Sequence, residues 1–152
     1  MKKIVFLFCF FANTVFADGC PITSNELSGL IKVHAQEIKG SEYCEYRKIV
    51  SSKGVEVALY SIEGPCFNRK GKNGSCGNMH FRYLTGIVNG KTLSPFEVGK
   101  RGGFSANDFE IQDNTITLKG FKYGEDDPEC CPSVEEKKLV FMTESGFEFK
   151  HP

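Results

Sequence analysis

Val55-Glu56-Val57-Ala58-Leu59-Tyr60-Ser61-Ile62 reads as the second strand of the chain. Val55, Val57 and Leu59 fall on one side of an extended strand. Before the first strand, which starts at Tyr43, the rhythm is helical. Leu27, Leu30, Ile31, His34, Ala35 and Ile38 share one helix face. Thr23 with Glu26 reads as a capping box, and Gly40 after Lys39 as a stop, so a helix is predicted from about Ser24 to Lys39. Its apolar face is expected to cover one face of a sheet.

Strands are read on both sides of Val55–Ile62. Tyr43 to Ser51 reads as the strand before Ser52-Lys53-Gly54, and Met79 to Val88 as the strand after the loop of residues 63–77. Asn89-Gly90 is a hairpin signal, because a type I′ turn needs positive φ at both central positions. Lys91 to Val98 returns from it, with Pro95 expected to interrupt pairing. Gly99 to Gly103 reads as a flexible connection. Phe109–Gln112 and Thr115–Tyr123 form a hairpin around Asp113-Asn114, and Lys137–Thr143 and Phe147–Lys150 another around Ser145-Gly146. The fold class expected is α+β: one N-terminal helix packed on a curved antiparallel β-meander of about eight short strands.

Residues 1–17 carry a different message. Lys2 and Lys3, the apolar run Ile4–Ala12 and the small-residue site at Ala17 have the anatomy of a secretory signal peptide cut after Ala17. The run is shorter than the roughly 20 residues that a membrane helix needs. Residues 18–152 are then a single domain, periplasmic or secreted. Of 19 Lys+Arg, Lys2 and Lys3 leave with the leader; the remaining 17 face 19 Asp+Glu, a formal charge of −2. That balance argues against nucleic acid as a partner, and no later stretch suits a membrane helix. Cys20 as a lipid-attachment site is disfavoured by Asp18 two positions before it.

Export decides how cysteine is read. Cys20, Cys44, Cys66, Cys76, Cys130 and Cys131 are an even set in an oxidising compartment, which predicts a disulfide frame. Cys66 and Cys76 bracket a glycine-rich loop and are expected to pair. Cys130 and Cys131 are adjacent, so each is expected to reach a separate partner, Cys20 or Cys44. A zinc site lacks CxxC spacing.

Arg69, Lys70 and Lys72 lie inside the Cys66–Cys76 loop. A stapled cationic protrusion of this kind suits a partner's cleft, because the staple lowers the entropy cost of presenting it. The alternative is a solvated loop whose bridge limits fraying. Glu125-Asp126-Asp127-Pro128-Glu129 concentrates carboxylates; calcium at Asp126, Asp127 and Glu129 is one reading and a solvated acidic loop the other, since the EF-hand spacing is missing. His34 is expected to pack within the helix stripe. With every mature cysteine paired there is no free thiolate, and no G-x-S-x-G elbow occurs. The reading is therefore non-catalytic, with no cofactor.

Asp127-Pro128-Glu129-Cys130-Cys131-Pro132-Ser133 resembles the DPxCCPS signature of small exported bacterial proteins, some of them lipoproteins. Cys76-Gly77-Asn78-Met79-His80-Phe81-Arg82-Tyr83, with Val98-Gly99 downstream, is similar to a second segment of such proteins. The resemblance implies an envelope protein with a structural disulfide frame. It carries no reaction and no ligand. The expected function is protein binding in the periplasm, as an inhibitor or immunity protein against an envelope-targeting enzyme such as a peptidoglycan hydrolase. The partner is then another envelope or secreted protein. The alternative is a small-ligand or cell-wall-fragment binder whose Tyr60, Phe81 and Tyr83 line a cavity.

Overall fold

The computed structural model describes residues 20–64, 80–100, 102–128 and 131–150. Among these residues helix α1 (Asn25–Glu37) precedes nine strands: β1 (Ser41–Glu42), β2 (Lys48–Ser52), β3 (Val55–Glu63), β4 (His80–Val88), β5 (Lys91–Lys100), β6 (Ser105–Gln112), β7 (Thr115–Lys122), β8 (Val134–Thr143) and β9 (Gly146–Phe149). A 3₁₀ turn, Cys44–Tyr46, separates β1 from β2. The class is α+β, and all strand pairings are antiparallel.

The strands form two sheets. The order is β1-β3-β4-β5 in the first, with β2 also on β3, and β6-β7-β8-β9 in the second. β3 explains the layering. Its Val57 and Leu59 join Leu84, Val98, Phe109, Leu118 and Val140 in the core between the sheets. Its Ala58, Tyr60 and Ile62 join Leu27, Ile31 and Ala35 beneath α1. A central strand buried on both faces must be apolar at odd and even positions alike, and Val55–Ile62 nearly is. β7 is buried on one face only, so Ile116 and Leu118 alternate with Thr117 and Lys119.

Several local expectations change. α1 is capped by Ser24, whose Oγ accepts from Leu27 N–H at 3.1 Å. The reciprocal carboxylate is Glu56 of β3, not Glu26. It accepts from Thr23 O–H and Ser24 N–H, each at 2.9 Å, and from Ser24 O–H at 2.5 Å. Those bonds, with Ser24 foremost, hold the Glu56 carboxyl below its usual range against the opposing effect of burial. At the other end Lys39, not Gly40, takes the left-handed backbone, at φ 54°. Gly40 is required for space: a Cβ there would overlap Ile62 and approach Glu63 O to 2.9 Å.

Tyr43–Ser51 is not one strand: it holds the 3₁₀ turn and most of β2, and β1 ends just before it. β1 and β2 pair with opposite ends of β3, so the chain must turn between them. β5 continues through Pro95 to Lys100, because β5 is an edge strand and the missing N–H costs no ladder bond there. Asn89 and Gly90 have φ of 51° and 77°, as the hairpin demands. Gly99 and Lys100 belong to β5, and the ends of the next turn are held together, with Lys100 N–H bonded to Phe104 O and Gly103 N–H to Lys100 O, each at 3.1 Å. A side chain on Gly99 would overlap the Phe104 carbonyl.

Candidate interaction surface

Tyr43 N–H bonds Ser61 O at 3.0 Å, the last link of β1 to β3. The chain then winds through one 3₁₀ turn, closed by Tyr46 N–H to Tyr43 O at 3.2 Å and Arg47 N–H to Cys44 O at 3.0 Å. A 3₁₀ turn superposes residues three apart. Tyr43 and Tyr46 therefore meet, with ring centroids 5.1 Å apart and planes tilted by 33°. Both remain in solvent, at 37% and 54% exposure. Large aromatic rings are normally hidden, so a paired exposed set is informative.

This turn is braced from three sides. Cys44 is bonded to Cys20, across a Cα–Cα distance of 4.7 Å, which ties the turn to the entry of α1. Arg47 is buried and grips Glu42 with two bonds, Nε to Oε1 at 2.7 Å and Nη2 to Oε2 at 2.6 Å. The third brace is Arg82 of β4, only 2% exposed. It donates from Nε to Ala106 O at 2.6 Å and from Nη1 to Tyr46 O at 3.2 Å. Its guanidinium lies 5.2 Å from the Tyr46 ring centroid, in cation–π range. Burial pulls its pKa down to about 10, so it stays cationic at neutral pH. One side chain thus joins the first sheet, the second sheet and the turn.

Acidic groups lie near Tyr43. Tyr43 O–H donates to Glu45 Oε2 at 3.1 Å, and that bond, followed by the Glu45 charge, raises the phenol pKa. Glu63 on β3 adds to the same effect. Glu45 and Glu63 are exposed, and among the described residues neither takes part in an ion pair.

The second aromatic set lies under α1. Tyr60 and Tyr83 are cross-strand partners on β3 and β4, with rings 5.8 Å apart. His34 Nδ1 is 2.7 Å from Tyr60 Oη, and its ring stands edge-on to Tyr83 at 4.5 Å. Burial lowers the His34 pKa, with Glu37 opposing, and raises that of Tyr60 strongly. Tyr60 is fully buried and Phe81 and Tyr83 are half-buried. Tyr60 and Tyr83 pack beneath the helix, and Phe81 lies against Tyr83. An open groove of about 550 Å³ lies elsewhere, on the second sheet, among Asp108, Lys119, Phe121, Glu135 and Lys137.

Arg69, Lys70, Lys72, Cys66, Cys76, Glu129 and Cys130 lie outside the described residues. The expectation that Cys20 and Cys44 reach the 130 region is corrected: they bond to each other, because the 3₁₀ turn carries Cys44 back to the start of α1. Cys131 is also in a disulfide, with a partner outside the described residues.

Asp127 has local partners. Its Oδ2 accepts from Gly124 N–H at 2.8 Å and Ser133 N–H at 2.7 Å, and its Oδ1 from Ser133 O–H at 2.6 Å. The two ends of the 127–133 motif therefore fasten each other. The Ser133 hydroxyl, then the two N–H groups, hold the Asp127 carboxyl below its usual range. Among the described residues no cluster of metal-binding side chains forms.

Tyr43, Tyr46 and Arg82 did not stand out in the sequence. The spacing Tyr43-x-x-Tyr46 about Cys44 was the available signal. In a strand those tyrosines point to opposite faces, whereas in a 3₁₀ turn they stack. No family model, curated protein or solved structure matches the chain.

Proposed function

We propose that this chain is an exported, non-catalytic protein-binding domain, an inhibitor or immunity protein acting on an envelope-targeting enzyme such as a peptidoglycan hydrolase. The observation that carries the reading is the stacked, exposed Tyr43–Tyr46 pair on a turn tied by Cys20–Cys44 and backed by Arg82. Tyrosine and arginine dominate binding hot spots, and a ring held rigid before contact loses little entropy on docking. The leader-like residues 1–17, the cysteine frame and the resemblance of residues 127–133 to exported proteins support location in the envelope. The two antiparallel sheets are read as one curved meander that carries the turn at its margin. The cationic segment with Arg69, Lys70 and Lys72 is a second contact in this reading.

The test is capture from an envelope extract by the oxidised protein and two variants, Y43A/Y46A and R69A/K70A/K72A. Capture by the parent that is lost on Y43A/Y46A supports docking through the turn. Loss only on the triple variant moves the contact to the cationic loop. Equal capture by all three sinks both sites. An absence of any partner favours the small-ligand alternative.

A further inference from the structure

The docking turn has a definite chemistry. Its rings offer electron-rich faces, and Glu45 within it takes part in no ion pair among the described residues. Glu42 is neutralised by Arg47, and Arg82 lies behind Tyr46. Glu45 accepts from the Tyr43 hydroxyl, and Glu63 stands opposite Ser41 in the β1–β3 ladder, two residues before Tyr43. Tyr43 donates a hydrogen bond from its hydroxyl to Glu45, which makes its oxygen and ring richer in electrons. The protein already seats one guanidinium against this pair, its own Arg82 on Tyr46. Tyr43 has no such cation among the described residues.

We propose that the group received here is a cationic side chain of the partner, an arginine or lysine, stacked on Tyr43 with Glu45 and Glu63 as counter-charges. This rests on the protein-docking reading. Arginine suits the site better than lysine, because a planar guanidinium can stack on the ring and bond a carboxylate together. Arg82 sets the side of approach: a second cation avoids Tyr46 and takes Tyr43, where the carboxylates stand.

The probe is the peptide Ac-Gly-Arg-Gly-NH2, titrated into the isotope-labelled oxidised protein and followed by amide NMR. The comparison peptide carries citrulline, which has the shape of arginine without its charge. Shifts confined to residues 41–47 and 63 are expected, with an affinity on the order of 10 mM. Citrulline should bind about fivefold or more weakly. Y43A/Y46A should abolish the shifts, Y43F/Y46F should keep most of them, and E45Q/E63Q should weaken binding about three- to tenfold. Because these side chains are exposed, unchanged spectral dispersion verifies the fold of each variant. Equal shifts from citrulline, shifts confined to the Asp108–Glu135 groove, or no shifts would overturn the proposal. Capture of the envelope partner separates the two readings. If Y43A/Y46A loses it while E45Q/E63Q keeps it in full, docking through the turn stands and the cation fails.

Discussion

The protein holds two tyrosine pairs of nearly the same geometry and opposite fate. Tyr60 and Tyr83 lie 5.8 Å apart with planes 32° from parallel; Tyr43 and Tyr46 lie 5.1 Å apart at 33°. In the first pair Tyr60 is sealed beneath α1 and its hydroxyl meets His34, a neighbour 26 residues away in the chain. In the second the Tyr43 hydroxyl meets Glu45, two residues away, and both rings face water. The same stacking thus serves stability where a helix covers it and presentation where a turn holds it out. Cover, not ring geometry, separates the two.

Removing the covered pair should hurt most. Tyr60→Ala should cost about 3–5 kcal/mol of stability in urea unfolding, from lost burial and the cavity left behind. Y43A/Y46A should cost under about 0.5 kcal/mol per residue by the same measure. Similar losses at the two pairs would erase the distinction drawn here.

The Cys20–Cys44 bridge comes next. C20S/C44S should lose about 2–4 kcal/mol, read from the same urea curves. Amide exchange should then speed up at residues 43–47 far more than at Tyr60. An unaffected turn would mean that Arg82 and Arg47 hold it alone.

Arg82→Met keeps much of the volume but removes the donors to Ala106 O and Tyr46 O. A loss of about 2–3 kcal/mol is expected, with the Tyr43 and Tyr46 ring resonances moving together. This variant sharpens the comparison, since Arg82 makes no described bond to the covered pair.

Acid should act on the covered pair before the exposed one. The folded pKa of His34 lies below its ordinary 6.5, because burial disfavours the charged ring. Below pH 6.5 the unfolded chain therefore binds the proton first. The His34 contribution is complete above pH 6.5 and is lost as pH falls toward the folded value, where the loss levels off. Urea midpoints between pH 7.5 and 5 should show this fall, and H34N should flatten it. The smallest effect belongs to Y43F/Y46F, which should leave the midpoint unchanged within error while removing the Tyr43–Glu45 bond.

Legibility followed the range of the interaction. The Asn89-Gly90 and Asp113-Asn114 turns could be read because their backbone demands are local, and Asn89, Gly90 and Asp113 take positive φ. The helix was readable from its stripe, and His34 packs within that stripe as expected. The N-cap was misplaced because the carboxylate that completes it comes from β3, 32 residues beyond Ser24. The Tyr43–Tyr46 turn was read as strand because both tyrosines have high strand propensity, and nothing nearby announces that β1 and β2 must share β3. Arg82 resembled an ordinary strand arginine; its burial arises only where the second sheet brings Ala106 O to it.

By itself the sequence determined the α+β class, the helix and most of the hairpins, since periodicity and turn chemistry act within a few residues. Only the tertiary structure decided that the strands divide into two sheets, that Cys20 bonds Cys44, and that one tyrosine pair is covered while the other is exposed. Those outcomes depend on which distant surfaces meet. Burial, disulfide partnership and the bonding of a buried charge are properties of that meeting and have no counterpart in local spacing.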